Sequence, residues 1–183
     1  LLPASEVMTK IIQDLQEARI LLNEDPVKTE GGLSSGNAGE SSNFLCYRAL
    51  RLNYYAVTGL LARVCLYAGQ RENAFNYSTE VIKASNNGIF PFVDRSLVNG
   101  TAQDPDRIFS PEVLFALSDS QRGELFEEYF DPSLAPNMVF RMETDLLEQT
   151  IYGGTGTGGN LDDYRCRSNW ISSGSARYFY KYS

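Results

Sequence analysis

Histidine is absent from this chain of 183 residues. That removes the commonest general base, the usual partner of a nucleophilic Ser or Cys, and the most frequent transition-metal ligand. Cysteine is scarce: Cys46, Cys65 and Cys166 show no C-x-x-C spacing, so neither a disulfide framework nor a zinc site is indicated. No stretch reaches the roughly eighteen apolar residues that a membrane-spanning helix needs. The opening LLPASEV lacks both an initiator Met and the basic-then-apolar layout of a signal peptide. Basic residues are outnumbered, 16 against 23 acidic, and the net charge of −7 repels phosphate backbones and anionic lipid. Nucleic acid is therefore not an expected partner.

What is present is ordinary for a soluble protein, with 43% hydrophobic and 21% charged residues and enough length to bury a core as one domain. The pattern along the first half is helical. From Ser5 to Leu22, Val7, Met8, Ile11, Ile12, Leu15, Ala18 and Leu22 form an apolar stripe opposite Lys10, Gln13, Asp14, Gln16 and Glu17, and Pro26 closes the segment. A second helix is expected from Ala49 to Ala68, with Val57, Leu60, Leu61, Val64, Cys65 and Ala68 at three-and-four spacing. It is apolar nearly all round apart from Arg51, Asn53, Thr58 and Arg63, so it belongs at the centre of a stack. A third repeats the pattern with Ala74, Tyr77, Val81 and Ile82. Gly69 between them suits the left-handed residue that ends a helix. Small Ala62 and Ala74 allow the two backbones to approach, and Cys65 on the apolar face reads as a buried small hydrophobe.

The order Leu61, Ala62, Gly69, Ala74 matches the helix-turn-helix unit of tetratricopeptide repeats, although Val81 is larger than that pattern prefers. One such unit cannot bury its own apolar face and needs neighbours. The fuller run Arg51, Asn53, Tyr54, Tyr55, Ala56, Val57, Leu60, Ala62, Arg63, Val64, Leu66, Tyr67 and Gly69, then Ala74, Val81 and Ile82, resembles the repeat helices of the SusD/RagB-like outer-membrane nutrient-binding lipoproteins. The upstream helix with Ile12, Asp14, Leu15 and Ala18, the segment PEVLFAL at Pro111 to Leu117, and Asp163-Tyr164-Arg165 ahead of Lys181-Tyr182 agree in order. The resemblance implies an internal fragment of a longer chain, because family members carry an N-terminal signal, a lipid-bearing cysteine and a later helix pair. It further implies a surface-exposed lipoprotein of the outer membrane that binds a glycan, needs no cofactor, and passes its ligand to a TonB-dependent transporter met by the helical repeats.

Two long irregular segments interrupt this pattern. The first, from Asn23 to Asn43, contains GGLSSGNAGESSN, which has no aromatic or basic residue to grip a ligand and reads as a surface loop. The second, from Ile151 to Asp163, contains GTGTGG at Gly154 to Gly159, which formally satisfies G-x-G-x-x-G. A dinucleotide site needs a strand before that motif and a helix after it, whereas TDLLEQTIY upstream looks helical. The carboxylate pairs Asp162 with Asp163, Asp104 with Asp106, and Glu127 with Glu128 are too close along the chain to oppose each other across a sugar, as glycoside hydrolysis requires. Asn160, Asp162 and Asp163 could supply oxygen ligands to calcium.

Binding chemistry is best sought among the aromatics, 11 Tyr, 10 Phe and a single Trp, whose flat apolar faces and polar tips suit sugar rings. Tyr54, Tyr55, Tyr67 and Tyr77 fall within the helical repeat and read as packing. Trp170, in a polar segment, and Tyr164 are the candidate ligand-binding residues; for Trp170 the competing role is a buried anchor for the terminal segment. Tyr178, Tyr180 and Tyr182 alternate with Phe179 and Lys181 as in a strand.

The expected fold is mainly α: a tetratricopeptide-like helical-repeat core with irregular loops and minor β, including a strand near Val113 to Leu117. It would form one domain, with a helical repeat region at 1–90 and a loop-rich outer part at 91–183. The expected function is non-catalytic capture of oligosaccharide or polysaccharide. The alternatives are a tetratricopeptide-like adaptor that binds only protein, and a glycan-processing enzyme.

Overall fold

The computed structural model describes residues 2–34, 45–98, 105–153 and 163–181. The fold is mainly helical with a small three-stranded sheet, and it divides into two compact units. The first comprises Leu1–Phe92 with Pro111–Ser118; the second comprises Val93–Ser110 with Asp119–Ser183.

In the first unit, α1 (Ala4–Leu21), the short α2 (Val27–Glu30), α3 (Tyr54–Tyr67) and α4 (Arg71–Asn86) follow in order. α3 packs against both α1 and α4, the central position its apolar sequence predicts. One core joins Ile12, Val57, Leu61, Cys65 and Ala74 with half-buried Leu15, Ala18 and Tyr77; another joins Val27, Ala49, Tyr54, Tyr55, Ala84 and Phe90. Cys65 is fully buried, and burial pushes its thiol pKa up. Gly69 ends α3 with φ 76°, and nothing lies within 4 Å of where a Cβ would stand. Its value there is conformational, since only glycine enters this region without penalty.

Three expectations are corrected. The helix does not begin at Ala49: Arg48–Leu50 forms a single 3₁₀ turn, and α3 starts at Tyr54 because the Asn53 side chain accepts a hydrogen bond from the Ala56 N–H at 2.9 Å. Ile82 faces outward at 56% exposure, and Ala84 supplies the buried contact in its place. The segment from Val113 to Leu117 forms no strand. Its backbone meets irregular chain, with Ala116 N–H donating to Ala49 O at 2.8 Å and Leu114 O accepting from Asn53 Nδ2 at 2.7 Å, so isolated bonds replace a ladder.

The polar interior of this unit is built around Asp25 and Arg48. Their side chains are 0% and 4% exposed, and two parallel bonds of 3.0 and 2.7 Å join guanidinium to carboxylate. Asp25 also accepts from the Val27 N–H and the Tyr54 N–H, the first residues of α2 and α3. Arg48 donates further to Leu52 O. Charge burial on this scale is tolerable because the Asp25 carboxylate accepts four hydrogen bonds and the Arg48 guanidinium donates from both Nε and Nη2. Nearby, Glu80 of α4 accepts from Tyr54 Oη and from Arg19 of α1, both at 2.6 Å, tying three helices through one carboxylate.

The second unit contains α5 (Arg95–Val98), α6 (Arg122–Tyr129), β1 (Arg141–Glu143), a π-helical turn at Leu146–Ile151, α7 (Tyr164–Ser168), β2 (Trp170–Ser173) and β3 (Ala176–Phe179). The sheet is antiparallel with order β1-β3-β2. β2 and β3 are joined by the two residues Gly174-Ser175, with Gly174 at φ 62°, the positive first position of a type II′ hairpin turn. Aromatic rings take the place of helix stripes here. Phe126 meets Tyr180, Phe130 meets both Phe140 and Phe179, and Trp170 meets Phe179, with centroids 5.0 to 5.9 Å apart.

Candidate ligand-binding site

The second unit holds two clefts beside the segment Asp163–Trp170. Asp163 caps α7, its Oδ1 accepting from the Arg165 N–H at 3.0 Å, while the Arg165 guanidinium closes on both carboxylate oxygens. The hydrogen bond from Arg165 is the main reason that the Asp163 carboxyl is held below its ordinary pKa. Both residues line an open cleft of about 330 Å³ with Ile151, Tyr152 and Asn169. Tyr152 follows the π-helical turn, a distortion often found at functional positions. Burial pushes the Tyr152 hydroxyl pKa up, partly offset by a hydrogen bond from Trp170. Tyr152 is therefore a neutral phenol near pH 7.

The second cleft, about 260 Å³, is lined by Val98, Pro105, Arg107, Ser168, Trp170, Ile171 and Tyr180. Trp170 opens β2 opposite Phe179, and its ring meets the Phe179 ring edge-on at 5.1 Å. Arg107 lies over the Tyr180 ring, 4.4 Å from its centroid. Tyr180 is positioned by its backbone N–H, which donates to Asn169 O at 2.7 Å. The cleft thus offers an aromatic wall, a serine and one cation, which together suit a ring with an apolar face and a polar rim.

Of the two residues singled out in the sequence, Trp170 lines the second of these clefts and Tyr164 lines neither. Tyr164, the first residue of α7, instead meets Phe109 edge-on at 5.7 Å. Trp170 is half-buried against Phe179 and also lines the second cleft. Arg107, Tyr152 and Asn169 were missed, because nothing in their neighbours along the chain marks them. For Tyr180 the sequence pattern indicates only a strand.

Other sequence features resolve differently. Asp106 turns its Oδ2 to the Ser110 N–H and hydroxyl at 2.8 and 2.7 Å, a loop-fixing role. The GTGTGG run, Asp104, Asn160 and Asp162 lie outside the described residues. Among the described residues no group of carboxylates and cysteines is placed to hold a metal ion, and no helix is long and apolar enough to cross a membrane. No protein-family model matches the chain, and neither does any curated protein or solved structure.

Proposed function

We propose that this protein is a non-catalytic nutrient-binding component of the SusD/RagB-like type, holding oligosaccharide or polysaccharide outside the outer membrane as a surface lipoprotein and passing it to a TonB-dependent transporter. The α3–α4 hairpin is then a tetratricopeptide-like unit. The observation that carries the reading is the run Arg51 to Gly69, followed by Ala74, Val81 and Ile82, which resembles that family residue by residue. Several of those positions have definite physical work: Asn53 caps α3, Tyr54 bonds Glu80, and Gly69 turns the chain. The aromatic cleft at Trp170 supports the ligand class. An acid–base pair for glycoside cleavage finds no support in Asp163, which is committed to Arg165.

One observation favours the second reading, an adaptor that binds only protein. Leu66, Tyr67 and Phe75 are 63%, 73% and 68% exposed on α3 and α4, an apolar face suited to another protein. Calorimetric titration with a panel of soluble polysaccharides, combined with a reducing-end assay, separates the possibilities. Saturable binding without product is the expected result. Release of reducing ends would identify an enzyme, and a panel with no binder would leave the adaptor.

A further inference from the structure

Arg107 is the feature of the Trp170 cleft that a neutral sugar does not explain. Its guanidinium rests over the Tyr180 ring, and among the described residues no carboxylate pairs with it. The adjacent Asp106 is engaged by Ser110. Stacking of this kind uses the flat face of the guanidinium and leaves its N–H edge free to bond outward. A neutral ligand filling the cleft would strip water from that edge and return no opposite charge, which is unfavourable. An anion removes the conflict. The planar fork of one arginine meets both oxygens of a carboxylate through two parallel bonds; it can hold two oxygens of a sulfate or phosphate ester in the same way, but the third then calls for a further donor. The cleft volume of about 260 Å³ lies below the roughly 300–1,000 Å³ of drug-sized sites, which fits one ring rather than a chain of them.

We infer that this cleft recognises an acidic sugar ring, a uronic-acid type of residue, with its carboxylate on the edge of Arg107 and its apolar face against Trp170. The inference rests on the glycan-binding reading and specifies its substrate class. Binding would proceed against the net charge of −7, so added salt screens the long-range repulsion and speeds association, while it weakens the local Arg107 contact.

The test is calorimetric titration of the wild-type chain, Arg107→Gln and Arg107→Lys with oligogalacturonate, the neutral galactose oligomer of equal length, a sulfated galactose oligomer, and acetate. Circular dichroism and thermal unfolding establish that the variants are folded. The expected result is that oligogalacturonate binds at least about tenfold more tightly than the neutral oligomer, Arg107→Gln abolishes that preference, and Arg107→Lys restores part of it. Equal affinity for acidic and neutral oligomers, unaltered in Arg107→Gln, would overturn the acidic-sugar inference and leave glycan binding standing. A preference for the sulfated oligomer would also overturn it. Binding of acetate through Arg107 with no oligomer bound would instead overturn the glycan reading on which it rests.

Discussion

The two units differ in how they use their polar groups. In the helical unit Asp25, Arg48 and Asn53 are buried and each is bonded several times over, so their chemistry is consumed by holding α2, α3 and the segment at Leu114 in register. In the second unit Arg107, Tyr152 and Arg165 border clefts. The regular, periodic unit consumes these polar groups in its own packing, and the irregular, aromatic unit leaves such groups at the borders of clefts.

Breaking the scaffold gives the largest expected effect. Arg48→Ala strands the Asp25 carboxylate inside the fold and is expected to cost about 3–5 kcal/mol in urea unfolding. The double variant Asp25→Ala with Arg48→Ala should cost less than the sum of the two singles, because the stranded charge is gone. Additive costs would mean that the pair is not coupled. Neither variant should alter glycan affinity in the molecules that remain folded.

A change in the ligand-facing unit should show the opposite profile. Trp170→Ala removes a half-buried ring from Phe179, and its expected stability loss of about 2 kcal/mol is below the roughly 3–5 kcal/mol of a fully buried aromatic. Glycan affinity should fall by about tenfold or more in the same protein. Loss of stability with affinity unchanged would make Trp170 an anchor only.

A pH titration sharpens the contrast next. Burial first, then the hydrogen bond to Glu80, raises the Tyr54 hydroxyl pKa from 10.0 to about 12. The folded state thus keeps a proton that the unfolded state releases, so the contribution is complete below pH 10 and is lost as pH rises from 10 to 12. The loss should approach about 2 kcal/mol, measured by urea unfolding at stepped pH, and Tyr54→Phe should flatten the slope.

The smallest effect is at the hairpin. Gly69→Ala meets no neighbour and suffers only the left-handed backbone, an expected cost of about 1 kcal/mol in thermal unfolding. An unchanged midpoint would show that the turn does not require positive φ.

Much of the helical unit was legible because burial and periodicity coincide there: Val57, Leu61, Cys65 and Ala74 fall on the predicted face. The Asp25–Arg48 pair was not, since a buried ion pair leaves no periodic trace and its partners lie on separate turns. The start of α3 was misplaced because Ala49 and Leu50 continue the apolar pattern while Asn53, a capping residue, decides the boundary. In the second unit, Trp170 was legible as a lone indole in a polar segment. Arg107 became visible only through Tyr180, to which the fold and not the sequence brings it.

Because Trp170 is the single tryptophan, its fluorescence reports on the cleft without any label. Titrating soluble acidic and neutral oligosaccharides into the intact chain should give a saturable change in Trp170 emission, with the same midpoint as calorimetry and unaltered in Tyr67→Ala on the helical face. Emission that stays constant while calorimetry records tight glycan binding would place the ligand elsewhere and contradict the division of labour between the two units.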